Sequence, residues 1–262
     1  MTGPRDWDAA TYDRVAEPQT RWGGVVLERL ALDGGETVLD AGCGSGRITE
    51  QLAERLPRGR VIALDASPSM VAEARRRLGR FGDRVDYLVA DLGRPFKLPG
   101  GVLADGILST ATFHWVPDHD ALFRNLAAVL RPGRELVAQC GGAGNIASVK
   151  AVLATIGDGW IGDAHYETAE ATAERLRAAG FVDVRTWLHP EPTSFEPGAP
   201  LETFLRTVIL GQHIDRLPPD ERDAFVHEVA TRLPEPVIDY VRLNILARRG
   251  EIYLDLRQLE KA

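Results

Sequence analysis

"VLDAGCGSGRITEQL", residues 38–52, decides the fold. An apolar run ends in an aspartate, three glycines follow at alternate positions (Gly42, Gly44 and Gly46), and helix-forming residues take over. Glycine adopts backbone angles closed to other residues and lets the main chain approach a ligand closely. A strand that turns through glycines into a helix is built to bring backbone against a bound molecule.

Outward from this turn, buried-strand signals alternate with helical ones. "ETVLDA" (36–41), "RVIALDA" (60–66), "RVDYLVAD" (84–91), "ADGILSTA" (104–111) and "ELVAQC" (135–140) are nearly continuous apolar runs, as expected of strands covered on both faces. "GRITEQLAERL", "SPSMVAEARRRLG" and "DHDALFRNLAAVL" lie between them with apolar residues at helical spacing, and "RPG" at 131–133 reads as a turn past a helix end. Such alternation predicts a doubly wound α/β fold with right-handed crossovers and a mostly parallel sheet. After the fifth strand come a helix, the glycine-flanked aromatic segment "DGWIGDAHY" (158–166), another helix and a sixth strand, "FVDVRTWLH". Two helices near 200–214 and 219–233 precede a last strand at 238–249, which makes seven. The expected organisation is an N-terminal helical lid at 1–30, an α/β core at 31–190, a helical insertion or cap at 191–236, and the last core strand with a C-terminal tail at 237–262.

The chain has 262 residues, 44% of them apolar, and a net charge of −7. That suffices for one core domain plus an insertion. No apolar run approaches the ~18–20 residues of a membrane helix, and "MTGPRDWDAA" has no apolar signal core. A soluble, cytoplasmic protein is expected. Cys43 and Cys140, the only cysteines, form neither a metal spacing nor a disulfide framework, so no metal is expected. The acidic balance argues against nucleic acid as a partner, since the densest basic run, "EARRRLGR" (73–80), reads as one helix face.

In open α/β sheets the ligand crevice lies beyond the carboxyl ends of the strands. The first three strands end at Asp40, Asp65 and Asp91. Asp65 stands 23 residues after Gly42, a placement suited to accepting hydrogen bonds from ribose hydroxyls. Dinucleotide folds favour G-x-G-x-x-G, whereas the spacing here is G-x-G-x-G. A carboxylate at Asp40 would repel a pyrophosphate and attract an amino group. The turn is therefore expected to receive an amino-acid moiety rather than phosphates.

"VLDAGCGSG", "ALDASPSM", "VAD" and "LRPG" together resemble the successive motifs of class I S-adenosylmethionine-dependent methyltransferases, over about residues 5–190. The resemblance implies S-adenosyl-L-methionine as cofactor, with Gly42 and Gly44 against its methionine part. It further implies ribose on Asp65, Met70 beside the adenine, Asp91 accepting from the adenine amino group and Leu92 along the ring. Asp40, Ala41, Cys43, Ala66 and Thr110 complete the expected set, and the N-terminal segment would bring Tyr12 and Gln19 over the methionine end. The family's last strand runs antiparallel, a role that "YVRLNILARR" suits. "FHWVPDHDALFRNLAAVLRPG", "WDAATYDRV" and "FLRTVILGQHIDRLPPDERDAF" are similar to the trans-aconitate methyltransferase-like group, which implies a small, anionic acceptor.

On the acceptor side, "ATFHWV" (111–116) follows the fourth strand. Trp115 can wall an acceptor, and His114 either binds its anionic group, removes a proton, or is a bystander between core aromatics. Tyr166 sits in the glycine-flanked segment, His119 is expected on the surface, and Arg206 and His213 fall near one helical face together with Glu202. Tyr240, Arg242 and Asn244 alternate with apolar residues and so share one face of the last strand. A buried arginine needs a partner, which here is either an anionic substrate or an acidic side chain.

A carboxylate acceptor is ionised near pH 7 and needs no base. A prenyl diphosphate methylated on carbon would need aromatic faces and a base. Carboxylate O-methylation is the leading expectation, with C-methylation of a prenyl diphosphate or other natural-product intermediate next. A cyclase or binding protein that retains the cofactor without methyl transfer follows, and a nicotinamide oxidoreductase is disfavoured by the glycine spacing.

Overall fold

The structure, a computed structural model, describes residues 17–251, with side chains from residue 21. The chain runs α1 (Glu17–Leu27), β1 (Thr37–Ala41), α2 (Arg47–Arg55), β2 (Arg60–Asp65), α3 (Pro68–Arg77), β3 (Val85–Val89), β4 (Ala104–Thr110), α4 (His119–Val129), β5 (Leu130–Gly141), α5 (Ala147–Leu153), α6 (Ala169–Ala178) and β6 (Phe181–Pro190). A short strand β7 (Thr193–Ser194), helices α7 (Ala199–Phe204), α8 (Gly211–Asp215) and α9 (Arg222–Arg232), a second short strand β8 (Val237–Ile238) and β9 (Val241–Arg249) complete it.

The seven-stranded sheet has the order β3-β2-β1-β4-β5-β9-β6. β9 is antiparallel to both neighbours and lies between them. The remaining strands all point one way, which is the Rossmann-like methyltransferase arrangement. Strand order reverses between β1 and β4, and there the crossovers leave to opposite faces and open a crevice at the carboxyl ends.

β1 shows how the sequence builds this. Val38 packs with α1 and α2 residues on one face, while Leu39 belongs to the cluster on the other. A strand buried on both sides reads as an unbroken apolar run. Helix starts are fixed by short polar caps: Ser67 Oγ accepts from Met70 N (3.2 Å) ahead of Pro68, and Asp118 Oδ1 accepts from Ala121 N (2.8 Å). Tertiary pairing overrides two local signals. "RPG" is absorbed into β5, where pairing with β4 jumps from Ala104↔Leu130 to Gly106↔Glu135. β3 stops at Val89, so Asp91 stands in the following turn rather than on the strand.

A third apolar cluster lies off the sheet, where Trp22, Val149, Leu153, Phe204, Leu205, Val229 and Tyr240 pack together. The ribbon β7–β8 pins the entry and exit of the helices between them. A π-turn at Leu205–Ile209, closed by Leu210 N to Leu205 O (2.8 Å), rotates the chain between α7 and α8. Among the described residues, no helix is long and apolar enough to cross a membrane.

Candidate active site

The β1–β2 half of the rim is assembled from main-chain N–H groups and carboxylates. Gly42 turns at φ +90°, and a Cβ there would lie 2.0 Å from Thr112 Oγ1, so only glycine permits the crossing of the two post-strand loops. Gly42 N and Cys43 N both donate to Leu64 O (2.8 Å each), fastening the turn to β2. Asp65 completes the fastening: its Oδ2 accepts from Gly44 N and its Oδ1 from Ser67 N, both at 2.9 Å. A carboxylate oxygen carries two lone pairs and can accept from more than one donor, which is the capacity a ribose diol would use. Asp91 is likewise shaped by its own turn, Oδ1 accepting from Gly93 N (2.9 Å), and Leu92 beside it is buried.

Asp40 is 1% exposed. Burial pushes its carboxyl up to about 7, against the hydrogen bond from Thr49 and with the charge of Asp65 adding to the rise. Thr49 Oγ1 donates to Oδ2 (2.7 Å), while Oδ1 is buried with no hydrogen-bond partner among the described residues. A buried polar atom without a partner calls for one. At Gly44, φ +52°, an added Cβ would point into open space. An orphaned carboxylate oxygen beside an open stretch of backbone fits a ligand that brings an ammonium group, and S-adenosyl-L-methionine has one. Met70 is buried at the start of α3, Ala66 and Thr110 are half-buried at the ends of β2 and β4, Ala41 is buried at the end of β1 and Cys43 in the turn. The Cys43 thiol is pushed well up by burial, which leaves it protonated and unreactive.

The β4–β5–β9 half is built differently. Arg242 pairs in register with Gly141, and Asn244 with Gln139. Arg242 is 4% exposed, its guanidinium lies 4.8 Å from the Trp22 ring centre, and its Nε donates to Gln139 Oε1 (3.3 Å). Gln139 Nε2 and Arg29 Nη1 both donate to Asn244 Oδ1 (2.9 and 2.6 Å). Asn244 thus determines which way the Gln139 amide faces, and Gln139 in turn orients Arg242. Tyr240 is buried with its ring edge-on to Trp22 at 5.1 Å.

His114 is 7% exposed, and Gly141 N donates to its Nδ1 (3.3 Å). Burial, then the charges of Arg242 and His119, push the imidazole down to about 3. A neutral ring whose Nδ1 accepts carries its proton on Nε2. His114 is therefore a hydrogen-bond donor, and too weak a base for proton abstraction near neutrality. Trp115 and Tyr166 flank it, with ring centres at 4.9 and 5.6 Å. Tyr166 is brought there by the 157–168 loop, whose His165 N donates to His114 O (2.8 Å).

Other expected residues are placed elsewhere. His213 does not share a face with Arg206, because the π-turn intervenes. It is buried against Trp160 (ring centres 4.5 Å apart), with its Nε2 on Trp160 O (3.0 Å). Arg206 pairs with Asp223 on α9. His119, expected at the surface, is buried, because the post-β4 turn folds Phe113 O onto its Nε2 (3.0 Å). Tyr12 lies outside the described residues, and so does the side chain of Gln19. Gln139, Arg29 and Thr49 are the polar residues that sequence reading missed. Gln139 could have been found as the one amide in an otherwise apolar strand end, "VAQC".

The sequence profile of a methyltransferase domain matches residues 38–133. Trans-aconitate 2-methyltransferase of Methylobacterium nodulans is 36% identical over 184 residues, covering 70% of this chain and 67% of that protein. The enzyme of the same name from Methylobacterium radiotolerans is 30% identical, covering 84% and 86%. Among solved structures, Haemonchus contortus phosphoethanolamine N-methyltransferase 2 in complex with S-adenosyl-L-methionine aligns with a TM-score of 0.64 at 20% identity, over 93% of this chain and 57% of that one. The [4+2]-cyclase SpnF aligns with a TM-score of 0.60 at 21% identity, over 95% and 87%. At such identities the structural likeness speaks for the fold alone.

Proposed function

Because the chain belongs to the class I S-adenosylmethionine-dependent methyltransferases, in their trans-aconitate methyltransferase-like group, we propose that it esterifies a carboxylate of a small anionic acceptor. The enzyme is an S-adenosylmethionine-dependent methyltransferase, and the cofactor, when bound, supplies an electrophilic methyl group on a sulfonium. In this reading Asp65 takes the ribose hydroxyls, Asp91, Leu92 and Met70 take the adenine, and Asp40 with the Gly42–Gly44 backbone takes the methionine ammonium. Ala41, Cys43, Ala66 and Thr110 line the same crevice. Residues 191–236 would form the cap over the acceptor.

The observation that favours a carboxylate is the pairing of a buried, oriented cation with a histidine whose second nitrogen is left to donate. Arg242 pairs in register with Gly141, whose N–H holds His114 Nδ1 and leaves Nε2–H to donate, and the charge of Arg242 is felt at that imidazole. Trp115, Tyr166 and Tyr240 would wall the acceptor. A carboxylate is a nucleophile without deprotonation, so a neutral His114 costs the reaction nothing. The chain's contribution is orientation, which can supply up to ~7–11 kcal/mol of barrier lowering. Trans-aconitate, named for the relatives, is the first acceptor to try. C-methylation of a prenyl diphosphate requires a base that His114, neutral down to about pH 3, does not provide.

The test is incubation with methyl-labelled cofactor and a panel of carboxylic acids and prenyl diphosphates. Label in a base-labile ester of a carboxylic acid is the expected result. Label on carbon, or tight cofactor binding with no transfer to any acceptor, would replace this reading by C-methylation or by a cofactor-retaining cyclase.

A further inference from the structure

Outside the cofactor crevice, three ligand-bearing side chains meet where α4 begins and the 157–168 loop ends. One donor atom from each of His119, His165 and Glu167 lies within 4.8 Å of the others. His119 is 3% exposed. Its Nε2 faces the carbonyl of Phe113 at 3.0 Å, and a carbonyl only accepts, so Nε2 holds the proton and the lone pair is on Nδ1. That Nδ1 is buried and has no hydrogen-bond partner among the described residues. An imidazole oriented by a main-chain carbonyl, with its other nitrogen bare, is the arrangement that metal-ligating histidines show. The His165 ring stands perpendicular to that of His119, centres 4.8 Å apart, and its Nε2 lies 3.2 Å from Glu167 Oε2.

We propose that His119, His165 and Glu167 bind a divalent first-row cation of the zinc type, with water at the remaining position. Two imidazoles and one carboxylate select such a metal over magnesium or calcium, which take oxygen ligands. Ligand bonds of ~2.0–2.2 Å require the donor atoms to draw together, and His165, half-exposed on its loop, is free to make that movement. Arg175 opposes the cation from α6, but its guanidinium is shared between Glu167 Oε2 (3.3 Å) and Asp120 Oδ2 (2.8 Å). Two carboxylates therefore face one guanidinium there.

The site lies outside the methyl-transfer chemistry. Its ligands are nevertheless wired to the acceptor wall, since His165 N donates to His114 O (2.8 Å) and Ala143 N to Glu167 O (2.9 Å). A bound cation would cross-link α4 to the loop that carries Trp160 and Tyr166. Metal occupancy would thus order one side of the acceptor pocket.

The experiment uses tag-free, chelator-dialysed full-length protein titrated with cobalt(II) and zinc(II). Saturable one-to-one binding in the micromolar range is expected, with a visible cobalt spectrum and a zinc-dependent rise in melting temperature. His165→Ala and Glu167→Gln, at positions that are not deeply buried, should each lose at least the roughly 10–100-fold in affinity that loss of a ligand's supporting partner costs, and melt like the wild type without metal. Absence of saturable binding, or equal affinity in both variants, would overturn the proposal.

Discussion

The two halves of the sheet's carboxyl rim are opposites in charge and in construction. Around β1, β2 and β3, carboxylates stand at or just beyond successive strand ends; Asp65 and Asp91 accept from main-chain N–H groups of the adjoining turns, and Asp40 accepts from the Thr49 hydroxyl. Around β4, β5 and β9, the polar groups are two guanidiniums, two amides and a neutral imidazole, drawn from residues 29, 114, 139, 242 and 244. An acidic half suits a cofactor that is cationic at its methionine end. A donor-rich half suits an anion. The boundary between them is the β1–β4 switch point, where methyl donor and acceptor would have to meet.

If that division is real, damage on one side should spare the other. The largest effect is expected from Arg242→Ala. It should lower kcat/KM for an anionic acceptor by about 2–3 kcal/mol, the scale of a charge-assisted hydrogen bond lost in a buried site, mostly through KM. Cofactor affinity, read by calorimetry, should stay near wild type. Gln139→Leu would release the same arginine from its orientation and should reproduce a smaller part of the loss. Equal damage to cofactor binding would show that Arg242 is a structural cation and would break the comparison.

Asp65→Ala is the reciprocal case. Cofactor affinity should weaken by about 2 kcal/mol through the lost hydrogen bonds, with the acceptor's KM unchanged at saturating cofactor. Unchanged cofactor affinity would remove Asp65 from the ribose and leave it only the task of tying the glycine turn to β2.

The smallest effect is pH-dependent and belongs to Asp40. The folded protein keeps this proton up to about pH 7, whereas the carboxyl's ordinary value is 3.8. Between those values the folded state holds more protons than the unfolded chain, so the contribution of this group to stability falls as pH rises and levels off above about 7. Binding of an ammonium has the opposite sign, because it requires the ionised carboxylate. Affinity for S-adenosyl-L-methionine should therefore rise roughly fivefold from pH 6 to pH 7. Asp40→Asn should flatten this slope, and an identical slope in that variant would assign the titration to another group.

The same division explains what could be read from sequence. The acidic half is local: Asp40, Gly42 and Gly44 adjoin in the chain, and Asp65 and Asp91 fall at the ends of recognisable apolar runs, so strand-end reasoning reaches them. The donor-rich half depends on register. Arg242 was visible as one of an alternating polar trio, but only the β5–β9 pairing reveals that Gln139 and Asn244 hold it. From sequence His119 faces solvent, because helical periodicity does not report the turn that folds Phe113 O onto it. A regular helical count groups Arg206 with His213, and the π-turn interrupts that count. The sheet, with its antiparallel β9, followed from the strand–helix rhythm and the family resemblance. The place of β9 between β5 and β6 is set by pairing across the sheet.

The most direct test of the divided rim is the structure of this protein bound to S-adenosylhomocysteine together with a carboxylate acceptor. The account predicts the ribose hydroxyls on Asp65 and the acceptor's carboxylate within hydrogen-bond distance of Arg242. A nucleoside seated away from residue 65, or an acceptor whose anionic group turns from Arg242 toward the cap, would contradict it.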